Sequence, residues 1–364
     1  LIHDGIPLDD RPRAGLAALT AQMLEEGGAG NLDALQFGDA LQMLGAQFSA
    51  GADHEAATVW LTALKRNFDK AAGLMADAVL RPRFEPKEWD RVKRLHLEEL
   101  KEQEDQPGVV ASRVAARMLF GDEHPYGWPV SGTPDTVAKL TVDDIRAKHA
   151  ALFRPNTATF FVAGDLSAAE AKAVLDKLFG TWPIREGATT RPAESAFAKA
   201  SPAAGPRVVI IHRPEAVQTV IQFIMPGPMY GDERRVPLEV LNTLFGGAFT
   251  SRLNQNLRES HGFTYGAGSR FGMEPSAGYF AASSSVKAGV TGAAIQEFLK
   301  EIDGVRGGDV RDEEAAKARA TLRTNVIQSF AGLHGVLAEA VERSAAGQPF
   351  ETLKQDMAKL EAVT

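Results

Sequence analysis

Apolar residues at helical spacing open the chain. Leu16, Leu19, Met23 and Leu24 share one face of a segment over 13–27, and the Gly27–Gly28 pair suits its C-terminal end. A second helical pattern covers 32–44 and stops at Gly45. Residues 47–64 change period: Ala57, Val59 and Leu61 alternate, which predicts strand. Helical spacing returns over 68–80, ahead of Pro82, and over the charged stretch 86–103, which Asp105-Gln106-Pro107 breaks. A further helix is predicted over 111–120, then a turn-rich loop over 121–134. Thr141-Val-Asp-Asp offers a capping residue with acids in the first turn of a helix over 141–152. A strand over 157–162 and a helix over 167–179 follow.

From 186 to 206 the pattern dissolves into Gly, Ala, Thr, Ser and Pro, predicting a linker between a domain over 1–185 and another over 207–364. The order then repeats. Strands are predicted over 208–211 and 219–225, and a helix over 236–245 that ends at Gly246-Gly247. An alternating strand follows over 278–286, then a helix over 292–302 and a long helical tract over 312–342. The repetition is one of pattern, not residue identity, and predicts two homologous α+β domains.

Bulk properties narrow the function classes. The 364 residues suffice for two buried cores, with 44% hydrophobic and 24% charged residues typical of a globular chain. A net charge of −7 gives no electrostatic case for nucleic acid or an anionic membrane surface. No run approaches the roughly 18 apolar residues that suggest a membrane span. The absence of Cys excludes disulfides, thiolate nucleophiles and Cys-based metal sites. Residues 1–13 carry no initiator Met, basic n-region or apolar h-region, and the chain stops at Leu-Glu-Ala-Val-Thr. Both ends read as cut edges of a longer chain, which leaves targeting open.

Candidate chemistry is sparse. A helical zinc peptidase site needs two imidazoles about one turn apart with a carboxylate between them. The closest two of the eight histidines, His124 and His149, are 25 residues apart. Glu98, Glu99, Glu102, Glu104 and Asp105 cluster on one predicted helix. One of these carboxylates could be a ligand or a general base, but the interspersed Lys93, Arg94 and Lys101 favour a solvated helix face. Phosphate-binding and serine-hydrolase glycine motifs are absent. The remaining candidates are Arg258 and Tyr265, placed between a predicted helix end and a strand starting at Phe263, across the His261-Gly262 turn. Five guanidinium donors and a phenol suit a carbonyl acquiring negative charge. The residues alone favour a surface Arg and a half-buried strand Tyr over a functional pair.

Several ordered segments resemble the M16 (pitrilysin/insulinase-like, inverted zinc motif) metallopeptidases of the short two-domain M16B type. In the first half these are His124-Pro-Tyr-Gly, Gly132-Thr-Pro, Leu140-Thr-Val-Asp-Asp-Ile, Phe153-Arg-Pro-Asn and Gly164-Asp. In the second they are Gly246-Gly-Ala-Phe-Thr-Ser-Arg-Leu and Leu257-Arg-Glu-Ser-His-Gly-Phe-Thr-Tyr. The chain departs from the family at the zinc helix. Where the family reads Gly-Leu-Ala-His-x-x-Glu-His-Met, this chain reads Gly15-Leu-Ala-Ala-Leu-Thr-Ala-Gln-Met. Ala18, Ala21 and Gln22 replace two ligands and the general base, and Glu99, at the downstream ligand position, is left over.

The resemblance implies an α+β fold of two homologous domains. Each would be a mostly antiparallel sheet with helices on one face, together half of a clamshell. It implies no cofactor in this chain, zinc in a partner subunit, and a heterodimer in which Arg258 and Tyr265 reach the partner's active site. Peptide contacts are expected from Gly247, Phe249 and Ser251, with no nucleic acid partner and no membrane span, and periplasmic location follows from family type alone. A catalytically inert M16-like core subunit of a larger assembly is the alternative. A substrate-recognising subunit with a long glycine-rich loop ranks last, because Gly246-Gly247 is only a short turn.

Overall fold

The computed structural model describes residues 1–3, 9–184 and 207–364. The predicted linker over 186–206 lies outside the described residues, and the second half resumes at Arg207. The chain forms two compact units. The described parts of Leu1–Asp105 and Asp122–Phe197 make the first, and Gln106–Gly121 with the described part of Ala198–Thr364 makes the second.

The first unit begins with β1 (Ile2–His3), α1 (Leu16–Glu26), α2 (Ala34–Met43), β2 (Gln47–Ala52) and β3 (Ala56–Thr62). Helices α3 (Phe68–Leu80) and α4 (Pro86–Glu104) follow, after which α5 (Pro107–Phe120) joins the other unit. The first unit resumes with α6 (Pro134–Val137), α7 (Val142–Leu152) and α8 (Ala168–Phe179). Its sheet has the order β1-β3-β2 and is antiparallel, with Ser49 opposite Trp60. Reciprocal capping boxes start α2 (Asp33 and Gln36), α7 (Thr141 and Asp144) and α8 (Ser167 and Glu170). The core gathers Leu19, Met23 and Leu24 of α1 with Val92 and Leu100 of α4 and Ile145 of α7.

Two glycines let α1 sit this deep. Gly15 has φ +98°, and a Cβ there would lie 2.9 Å from the Ser131 carbonyl oxygen. Gly132 has φ +74° and would meet the Ala14 carbonyl oxygen at 2.4 Å. Only residues without a side chain allow this approach.

The second unit contains β4 (Gln218–Pro226), α9 (Arg235–Asn242), α10 (Arg252–Asn254), β5 (Thr264–Met273) and β6 (Gly278–Lys287). Helices α11 (Thr291–Arg306), α12 (Asp312–Ser329), α13 (Leu333–Ala345) and α14 (Thr352–Ala362) complete it. Its antiparallel sheet has the order β4-β6-β5, the same topology as the first. Ile221 and Phe223 of β4, Ala282 and Val286 of β6 and Phe298 of α11 form its core.

Helix α5 packs on β4 from the side opposite the core, where Ser112 Oγ donates to Gln222 Oε1 at 3.3 Å, and it belongs to the second unit although it precedes the linker. Three predicted elements differ in the structure. Residues 208–211 form no strand, and Val208 and Ile210 are exposed, because β-branched residues alone supply no hydrogen-bonded neighbour. Among the described residues, the segment over 157–162 pairs only near Ala158 and Thr159, with residues 1 and 2. The tract over 312–342 is interrupted between α12 and α13, at Phe330-Ala331-Gly332.

Candidate functional site

Helix α1 carries the three positions where a zinc site was expected to be degenerate. Ala21 is buried, and Ala18 and Gln22 are half-buried. The Gln22 amide donates to Glu26 Oε1 at 2.7 Å. Glu99 on α4 is exposed and accepts from Gln103 Nε2 at 3.0 Å. His96 Nδ1 lies 3.9 Å from Glu99 Oε2, and its Nε2 is 2.8 Å from the Ser131 carbonyl oxygen. Two methyl groups, a committed amide and one carboxylate do not fit zinc, which takes four N, S or O ligands. Among the described residues no group of three or more His, Cys, Asp or Glu is arranged to hold a metal.

The second unit builds a different site, on one irregular passage between α9 and β5. Helix α9 continues into a π-type turn over Thr243–Gly247. A Cβ on Gly246 would lie 2.6 Å from the Ser269 amide nitrogen, so Gly is required where this turn meets β5. Ser269 Oγ donates to Asn242 Oδ1 at 2.7 Å, and the Ala267 amide donates to Asn254 Oδ1 at 2.9 Å. These bonds tie the start of the turn and the end of α10 to β5. Arg252 forks onto Glu314 of α12, with Nε at 3.1 Å and Nη2 at 2.6 Å from its two oxygens. The pair holds the Glu314 carboxyl down at about 2, chiefly through the Arg252 bond and then through Arg311. A second π-type turn, Gln255–Ser260, presents Arg258 before the chain reverses at Gly262, φ +62°.

Arg258 and Tyr265 occupy distinct surroundings. The Arg258 guanidinium stacks over the Phe249 ring, and its Nε lies 3.4 Å from Glu259 Oε1. Tyr265 is 88% exposed, and its hydroxyl makes no hydrogen bond among the described residues. A β-bulge puts it there: between the pairs Thr264–Val286 and Ala267–Ser284, β5 has one residue more than β6. Thr264 Oγ1 accepts from the Gly266 amide at 3.0 Å and donates to the Ser285 carbonyl at 2.7 Å. Ser284 Oγ donates to the Gly266 carbonyl at 2.9 Å.

Of the three expected peptide contacts, Gly247 and Phe249 are exposed. Ser251 is 2% exposed and its hydroxyl has no hydrogen-bond partner among the described residues. It offers a peptide no surface, because the core residues Leu253 and Leu257 draw the turn inward behind it. Sequence reasoning passed over Arg252, Asn254, Thr264 and Ser284, which position the site. The detectable signal was Asn254, a poor helix former inside a helical stretch.

This duplicated α+β architecture recurs in solved proteins. A peptidase M16 inactive domain from Pseudomonas fluorescens superposes with a TM-score of 0.87 at 23% identity, covering 100% of this chain and 85% of that one. A protease from Helicobacter pylori superposes at 0.88 and 17% identity, covering 98% and 86%. The family model described as peptidase M16 inactive domain matches residues 139–322, and that of insulinase (peptidase family M16) matches residues 1–125. The chain belongs to peptidase family M16. Curated relatives include uncharacterized zinc proteases of Mycobacterium leprae, 26% identical over 294 residues, and of Streptomyces coelicolor, 28% identical over 327. The matches span 81% and 88% of this chain, but 65% and 69% of those proteins. No described helix is long and apolar enough to cross a membrane.

Proposed function

We propose that this chain is the zinc-free subunit of a two-subunit, M16B-type peptidase in the periplasm, acting on peptides or unfolded segments. Arg258 and Tyr265 serve the active site of a zinc-bearing homologous partner. The observation that carries this reading is the Tyr265 hydroxyl, exposed on a bulge and bonded to nothing described. An exposed phenol bonds water until a ligand takes its place. This one is free to donate to a ligand. Arg258, held over Phe249, brings further donors fixed in a plane. Together they bind a peptide carbonyl and stabilise the negative charge it develops during attack.

The test mixes this chain with its zinc-bearing homologue and follows peptide hydrolysis. A mixture no more active than the homologue alone refutes complementation and leaves the structural-subunit reading. Unchanged activity with Arg258→Ala or Tyr265→Phe refutes the role given to the pair.

A further inference from the structure

The face of the second sheet that carries Tyr265 is turned away from the hydrophobic core. Along β6, Ala282, Ser284 and Val286 are buried, whereas Ser283 and Ser285 are exposed on the opposite side. On β4, Ile221 and Phe223 enter the core, which puts Val220 and Gln222 on the outer face. Helix α5 covers part of this face. Between the helix and the strands opens a cleft of about 470 Å³, with Tyr265 in its wall.

The chemistry of the cleft is selective. Apart from the Tyr265 phenol, none of its lining residues is ionisable. Gly108, Gly266 and Gly268 leave main chain accessible there, and the side chains of Gln218, Ser283 and Ser285 make no hydrogen bond among the described residues. Unpaired neutral donors and acceptors in a concave site match a ligand with neutral hydrogen-bonding groups. A formal charge placed there would lose water and meet no counter-charge.

We infer that this cleft is a specificity subsite for the peptide. It accepts the small or uncharged polar side chain flanking the carbonyl that Tyr265 holds, and it disfavours Lys, Arg, Asp and Glu at that position. Ser283 and Ser285 make the contacts, and Tyr265 links the subsite to the reacting bond. The inference deepens the function proposed above and rests on it.

The experiment uses the reconstituted pair and a set of fluorogenic peptides that differ only beside the scissile bond, with Ser, Gln, Lys or Asp. The Ser and Gln peptides should exceed the Lys and Asp peptides by about tenfold in kcat/KM. Ser285→Lys should raise the Asp peptide above the Ser peptide, and Ser285→Asp should do the same for the Lys peptide. Both changes fall at an exposed strand position, and circular dichroism checks that the fold survives. Equal peptide preferences in the wild type and both variants overturn the subsite. A pair that cleaves none of the peptides refutes the complementation reading instead. Titrating the isolated, isotopically labelled chain with the Ser peptide then decides the cleft. Amide shifts confined to Gly266, Gly268, Ser283 and Ser285 support it, and shifts elsewhere or none overturn it.

Discussion

The Arg258 guanidinium lies 4.6 Å from the centre of the Phe249 ring. Phe249 is 65% exposed, so its ring does more to orient Arg258 than to fill a core. At an exposed site such stacking contributes about 0.5–1 kcal/mol. Phe249→Ala should lower kcat/KM of the reconstituted pair about two- to fivefold. Its melting temperature should stay within about 1 °C of wild type, and Phe249→Tyr should restore activity.

Tyr265→Phe removes one hydroxyl that nothing described bonds. Unfolding free energy should shift by less than about 0.5 kcal/mol, as for a surface substitution. The kcat of the pair should fall about 100-fold, as when one donor to a developing oxyanion is removed. Denaturant melts and steady-state kinetics on the same preparation separate the two effects.

Arg252 and Glu314 join the turn carrying Phe249 to α12. Replacing Glu314 by Gln keeps shape and removes charge, and should cost about 1–3 kcal/mol in a urea melt. The folded carboxyl titrates near 2, below its ordinary value of about 4.5. Its contribution is complete above the unfolded value and is lost as pH falls from there towards 2. The wild-type advantage over Glu314→Gln should shrink across that window.

The pKa of His54 is shifted in the same direction, but by burial and not by an ion pair. Burial lowers its pKa despite the Trp128 carbonyl oxygen 3.1 Å from Nε2 and the nearby Asp53 and Glu55, and its ring stacks on Tyr126 at 4.3 Å. His124, tilted against the same Tyr126 ring, is lowered by burial and then by His54. The unfolded chain takes up protons first, near pH 6.5, so stability is full above that value and declines below it. Melting temperature should fall as pH drops from about 6.5 to 5, and less steeply in His54→Gln.

Much of the fold is legible because helix and strand periods are local. The α1 stripe of Leu16, Leu19, Met23 and Leu24 and the Thr141 cap say where those helices lie. The same rules fail at 208–211, where a strand-forming sequence finds no neighbour, and at α5, whose packing partner lies far along the chain. The site was legible as residue types: Arg258, Tyr265 and the substitutions at Ala18, Ala21 and Gln22 are readable directly. Its geometry was not. The bulge that exposes Tyr265 depends on hydroxyls from two strands, and the burial of Ser251 depends on leucines two and six residues later.

Helix α5 has a consequence for synthesis. Phe120, its last residue, leaves the ribosome about 100 residues before β4 begins at Gln218. At roughly 5–20 residues per second, the helix waits about 5–20 s for the first strand it will cover. Throughout that interval its sheet-facing side is bare, so the nascent chain is most vulnerable to aggregation after its first unit is largely made. A chaperone that holds such chains has the most to protect in that window.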